Sequence, residues 1–132
     1  NPLSTRPWQH VLEPLSGYLV LAQELFLNGD SFAEGWNFGP KDEDCKPVSW
    51  ILDQMVTNWG NNASWILDKK NNPHEAGFLK LDCSKASNRL KWNPKWNLQL
   101  TLKSIVNWHQ VYINGNDVKK QCLKEIHEYL NK

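Results

Sequence analysis

Thr5-Arg6-Pro7-Trp8-Gln9-His10-Val11-Leu12-Glu13-Pro14-Leu15-Ser16-Gly17-Tyr18-Leu19 is the stretch on which the reading of this chain turns. It passes from a Pro- and Trp-containing run into a helix. The spacing predicts that helix from about Glu13 to Leu27, because Leu15, Leu19, Ala22 and Phe26 fall on one helical stripe that would face a core. Pro14 suits the first turn, where its missing N–H costs nothing. Asn28-Gly29-Asp30 supplies the stop.

Working outward, Gly35-Trp36-Asn37-Phe38-Gly39-Pro40 reads as a short strand with Trp36 and Phe38 on one side and Asn37 on the other. Lys41-Asp42-Glu43-Asp44 is a charged loop. A second helix is expected from about Pro47, with Val48, Leu52, Met55 and Trp59 on one face and Gly60-Asn61-Asn62 at its end. Ser64–Asp68 and Phe78–Asp82 read as further strands, the latter with Leu79 and Leu81 inward, separated by a polar loop that holds Pro73-His74-Glu75. Ser84 would cap a short helix through Leu90. Trp92-Asn93-Pro94-Lys95-Trp96 must be extended, since residues before Pro avoid the helical region. Asn97 would cap a long helix with Leu98, Leu102, Ile105 and Trp108 or His109 inward. Asp117 would cap a last one with Val118, Cys122, Ile126 and Tyr129 inward. The fold class is therefore α/β: about five helices and three short strands, a small lobe that leans on something else.

The chain has 132 residues, about one domain, and a net charge of +1. The charge is uneven: residues 1–66 carry three basic and eight acidic side chains, residues 67–132 twelve and six. The lysines of the second half are scattered over helices, which reads as a solvated surface and argues against a nucleic-acid face. No run approaches the ~18 apolar residues of a membrane span. Three well-separated cysteines form no disulfide framework and fit reduced thiols in a cytoplasmic protein. Asn62-Ala63-Ser64 is a formal glycosylation sequon, taken as chance in the absence of a secretion signal. The chain opens Asn1-Pro2-Leu3 and its only Met is Met55, so it is expected to be processed or part of something longer.

Enzyme motifs are scarce. There is no dinucleotide fingerprint, P-loop, nucleophile elbow or metal-spaced His/Cys set, and Asp42, Glu43 and Asp44 lack the burial that separates catalytic pKa values. Three positions stand out instead. Arg6 precedes the first helix and offers a rigid donor fork suited to phosphate, with Trp8, Gln9 and His10 beside it. Asn37 is a polar residue between aromatics, flanked by glycines that permit close approach. His74, next to Glu75, lies in a loop, where binding residues collect. Most tryptophans read as packing, with Trp8 and Trp36 the exceptions.

The run Arg6-Pro7-Trp8-Gln9-His10-Val11 resembles the Arg-Pro-Trp-Gln-His-Val signature of the CDP-glucose 4,6-dehydratases, extended short-chain dehydrogenases/reductases of the NAD-dependent epimerase/dehydratase family. Further matches follow in order: Asn37-Phe38-Gly39-Pro40, His74-Glu75-Ala76, Leu79-Lys80-Leu81-Asp82 and Trp92-Asn93-Pro94-Lys95-Trp96. They cover nearly the whole chain. Lys91 departs from the pattern where that family usually has Gly, and Gly77 stands where it often has a bulkier residue.

The resemblance implies a two-lobe lyase. An N-terminal Rossmann lobe binds NAD and carries the catalytic Tyr-x-x-x-Lys; a C-terminal lobe grips the nucleotide half of a sugar nucleotide. The reaction is loss of water from CDP-glucose to give CDP-4-keto-6-deoxyglucose, in deoxysugar and O-antigen synthesis, with NAD taking a hydride from C4 and returning it to C6. Residues 1–132 would be the C-terminal lobe alone, without the Rossmann lobe, without bound NAD and without a catalytic residue, so inactive by themselves. By position, Arg6 would bind the pyrophosphate, Asn37 would lie near the nucleoside, and His74 and Glu75 would line the nucleotide pocket. The partners would be CDP-glucose or a related sugar nucleotide and the missing lobe, in a parent that forms homo-oligomers. The alternatives are a lobe for another sugar nucleotide or a non-catalytic binding module. Exposed Trp surface near Trp8 or Trp36 is expected where a missing lobe would pack.

Overall fold

A computed structural model of the chain describes residues 1–68 and 76–132. Five α-helices carry the fold: α1 (Leu12–Asn28), α2 (Val48–Trp59), α3 (Ser84–Leu90), α4 (Leu98–Ile113) and α5 (Val118–Leu130). All five lie where the sequence places them, because each has a local start or stop. The Asn97 side chain accepts the N–H of Leu100 at 2.9 Å, and Asp117 does the same for Lys120 at 3.0 Å. Gly29 and Gly60 end α1 and α2 with φ of 61° and 70°, a region open to glycine at little cost. At α3 the capping side chain is not Ser84; Asp82 Oδ1 accepts the Ser84 N–H at 2.9 Å.

The sheet differs from the expectation. It consists of β1 (Thr5–Pro7) and β2 (Cys45–Pro47), antiparallel, with Thr5 opposite Pro47, Arg6 opposite Lys46 and Pro7 opposite Cys45. A proline at the end of each strand lacks the N–H needed to extend the ladder. Of the three expected strands, 35–40 and 64–68 take no regular secondary structure and form no ladder among the described residues. Phe78 makes a single parallel bridge to Thr5, through Thr5 N–H to Gly77 O at 2.9 Å and Leu79 N–H to Thr5 O at 3.1 Å. Extended conformation is written locally, whereas pairing needs a distant partner that local patterning does not reveal. Short 3₁₀ turns follow α1 (Gly29–Phe32) and precede β2 (Asp42–Asp44).

Two apolar clusters form the core. Phe38, Ala86, Leu90 and Trp92 pack with Val20, Leu21, Phe32 and Trp36; Ile51, Leu98 and Leu102 pack with Trp8, Trp50 and Met55. A polar knot also joins α1 to the 92–96 connector and to α5. The Glu13 carboxylate, fully buried, accepts the N–H groups of Lys95 and Trp96 and the Tyr129 hydroxyl, the last at 2.7 Å. Trp92 Nε1 donates to Ser16 Oγ at 2.8 Å. Burial, with the Glu13 charge beside it, pushes the Tyr129 phenol above its ordinary value, so it stays a donor.

This knot orients α1 the other way round from its apolar stripe. Glu13 and Gly17 are the residues it buries, and Leu15, Leu19, Ala22 and Phe26 face solvent, with Leu19 73% and Phe26 88% exposed. Gly17 is required there: a Cβ would sit 2.3 Å from the Phe38 ring. In α5, similarly, Glu125 and Tyr129 are buried while Cys122 and Ile126 are exposed. In α4, Leu98 and Leu102 are buried as expected, joined by Thr101 and Val106.

Candidate functional site

Arg6 sits at the centre of β1 and is half-buried. Its Nη1 donates to Thr5 O at 2.8 Å, which fixes the guanidinium close to the strand. Register places Lys46 directly opposite, and residues paired across an antiparallel ladder project to the same side of the sheet. Lys46 was not singled out in the sequence, because its relation to Arg6 depends on the register of strands almost forty residues apart.

Asn37 is exposed, and its Nδ2 donates to Asp82 O at 3.1 Å. Gly39 packs closely on the other side of the same stretch, where an added Cβ would lie 3.0 Å from Leu81 and 3.1 Å from the Cys83 sulfur. Gln9, three residues before α1 begins, donates Nε2 to Phe38 O at 2.8 Å and so ties the Arg6 run to the Asn37 run. The Arg6 strand is bonded to Gly77 and Leu79, and the Asn37 segment to Asp82. The structure therefore brings both candidates onto one stretch, residues 77–83. A cleft of about 510 Å³ lined by Pro40, Asp42, Lys80, Leu81, Asp82 and Cys83 opens there. His74 and Glu75 lie outside the described residues.

The other candidates are structural. Trp8 Nε1 donates to Lys46 O at 2.9 Å, and Trp36 Nε1 to Phe32 O at 3.0 Å. The Trp36 ring is stacked on Phe32, with Lys85 and Arg89 over its face and both cations paired to Glu34. Both tryptophans are half-buried, so neither forms the exposed Trp surface expected from the sequence; exposed apolar side chains occur instead on α1, around 66–67 and 78–79, and on α4 and α5. His10 is buried against Trp96, with its Nδ1 accepting the Leu12 N–H at 3.3 Å at the start of α1. Burial lowers its pKa, against the pull of Glu125 and Glu13. The half-buried thiols of Cys45 and Cys83 are raised by burial and so held protonated. No group of three or more His, Cys, Asp or Glu side chains converges as a metal site among the described residues.

The described residues do not fit NAD. A dinucleotide site needs a glycine-rich turn between a strand and the N-terminus of a helix. Here β1 reaches α1 through Trp8-Gln9-His10-Val11, and β2 runs directly into Val48 of α2, with no glycine in either junction.

The described residues thus form a small α/β domain with no Rossmann lobe among them, in which the Arg6 strand and Asn37 are both hydrogen-bonded to the 77–83 stretch. No protein-family model matches the chain. It is 58% identical over 131 residues, 99% of its length, to the CDP-glucose 4,6-dehydratase of Salmonella typhimurium (strain LT2). The chain spans 36% of that protein's length, and the match lies in its C-terminal part.

Proposed function

We propose that this chain is the substrate-binding lobe of an NAD-dependent CDP-glucose 4,6-dehydratase. The identity over 99% of the chain carries the reading. The attachment of Arg6 and Asn37 to one stretch supports it, since these are the positions assigned to the two ends of the nucleotide. In this reading Arg6 grips the pyrophosphate through charge-assisted hydrogen bonds, Lys46 adds a second cation, and Asn37 lies at the nucleoside end. His74 and Glu75 complete the nucleotide pocket. The lobe's task is to bind and orient. NAD and the catalytic acid and base belong to the Rossmann lobe of the parent, and no reaction step is assigned to residues of this chain. The parent is a cytoplasmic lyase that self-associates and acts on neither nucleic acid nor membranes; no helix among the described residues is long and apolar enough to cross a bilayer.

Calorimetric titration of the full-length protein with CDP tests the site. A hydrogen bond to a charged group contributes about 1.5–3 kcal/mol, so Arg6→Ala should weaken binding roughly tenfold or more. Unchanged affinity would reject the pyrophosphate role.

A further inference from the structure

The Asn37 amide is held in one sense. Its Nδ2 donates to the Asp82 carbonyl at 3.1 Å. A carbonyl oxygen only accepts, so the amide nitrogen must be the atom turned to it. Reversing the amide would set two carbonyl oxygens against each other and forfeit the bond. Oδ1 accepts from no described group, and the residue is exposed. A ligand therefore meets Oδ1 and the remaining N–H in a fixed order. The backbone on both sides is anchored. Trp36 is stacked on Phe32 with Lys85 and Arg89 over its face, and Lys85 also donates to Gly35 O at 2.9 Å. Phe38 O is held by Gln9, and Asp82 itself is tied to the start of α3 through Ser84 N–H. A polar side chain supported in this way is pre-organised to discriminate between hydrogen-bonding patterns.

We propose that Asn37 is the residue that selects the base, its locked amide pairing with the amino-bearing edge of cytosine and rejecting the inverse edge of uracil. Cytosine presents a donor, the N4 amine, beside the N3 acceptor; uracil presents the O4 acceptor beside the N3 donor. An amide free to turn serves both bases. One fixed by Asp82 serves a single order, and binding the other base costs the bond to Asp82 or leaves like groups facing each other. The proposal rests on the reading of this chain as a nucleotide-binding lobe with Asn37 at the nucleoside end, and the choice of cytosine follows from that reading. The spacing is compatible with one ligand touching both ends. Thr5, next to Arg6, is paired to Phe78, and Asn37 is bonded to Asp82 four residues further on, a chain distance of at most ~14 Å.

Calorimetric titration of the full-length protein with CDP and with UDP reads the preference. The unaltered protein should bind CDP about tenfold more tightly than UDP, and Asn37→Ala should bring the two within about threefold by weakening CDP while leaving UDP nearly unchanged. Retained UDP binding shows that the variant is folded. Arg6→Ala, at the pyrophosphate end, should weaken both nucleotides alike and keep their ratio. A ratio that survives Asn37→Ala overturns the proposal. Equal weakening of both nucleotides by Asn37→Ala also overturns it, because a merely structural role acts on the two alike. So does a ratio lost equally in Arg6→Ala, which would assign the selection to the site as a whole. An unaltered protein that binds neither nucleotide rejects the nucleotide-lobe reading, and the proposal with it; one that binds both, with the ratio unmoved by Asn37→Ala, rejects the role of Asn37 alone.

Discussion

Lys91 closes α3 with φ 54° and ψ 20°, in the left-handed region where a side chain costs roughly 1–2 kcal/mol. A backbone in that region favours glycine. Lys91→Gly should raise stability by up to about 1 kcal/mol in urea denaturation, the gain being limited by the added freedom of the unfolded chain; a loss would contradict the strain. His10 makes the pH-dependent counterpart. Its pKa is lowered in the folded state by burial, outweighing Glu125 and Glu13, so the fold prefers it neutral. Its contribution is complete above the unfolded value of about 6.5 and is lost as pH falls below it. The urea midpoint should therefore drop between about pH 7.5 and 5.5, and His10→Gln should flatten that drop. Arg6 and Asn37 could be singled out as candidates because an Arg in a Lys-rich chain, and a polar residue among aromatics and glycines, stand out within a few residues of sequence. Lys46 was not, since only the β1–β2 register sets it opposite Arg6.

At the scale of elements, the five helices could be read because caps and stops are local: Asn97, Asp117, Gly29 and Gly60 act within their own turn. The strands could not. β1 and β2 are three residues each, end in proline and pair across the chain, while 35–40 and 64–68 take no regular secondary structure. The orientation of α1 was misread for a related reason. Its apolar stripe is real, but the polar side wins the inner position because Glu13 finds three donors from the connector and α5. Removing that acceptor leaves buried donors unpaired, at about 1–3 kcal/mol each. Glu13→Ala should therefore destabilise the domain by about 3 kcal/mol in the same denaturation assay; a change within experimental error would show that the knot does not hold α1.

For the whole molecule, the uneven charge acquires a structural meaning. Glu34 and Asp42 of the acidic half pair with Lys85, Arg89 and Lys80 of the basic half. Glu13 and Asp44 accept backbone N–H groups of Lys95, Trp96 and Leu98. The two halves of the chain are thus complementary to each other, which accounts for part of an asymmetry that the sequence alone attributed to solvated surface. The exposed apolar stripe of α1 is the feature this pairing leaves over, and it is what a lobe of a larger enzyme would carry. The most direct measurement is turnover of CDP-glucose in the presence of NAD, followed by the appearance of the 4-keto product, with the full-length protein and the 132-residue chain side by side. The expected result is product from the full-length protein and none from the chain. Turnover by the chain alone, or a full-length protein that leaves CDP-glucose untouched, would contradict the assignment.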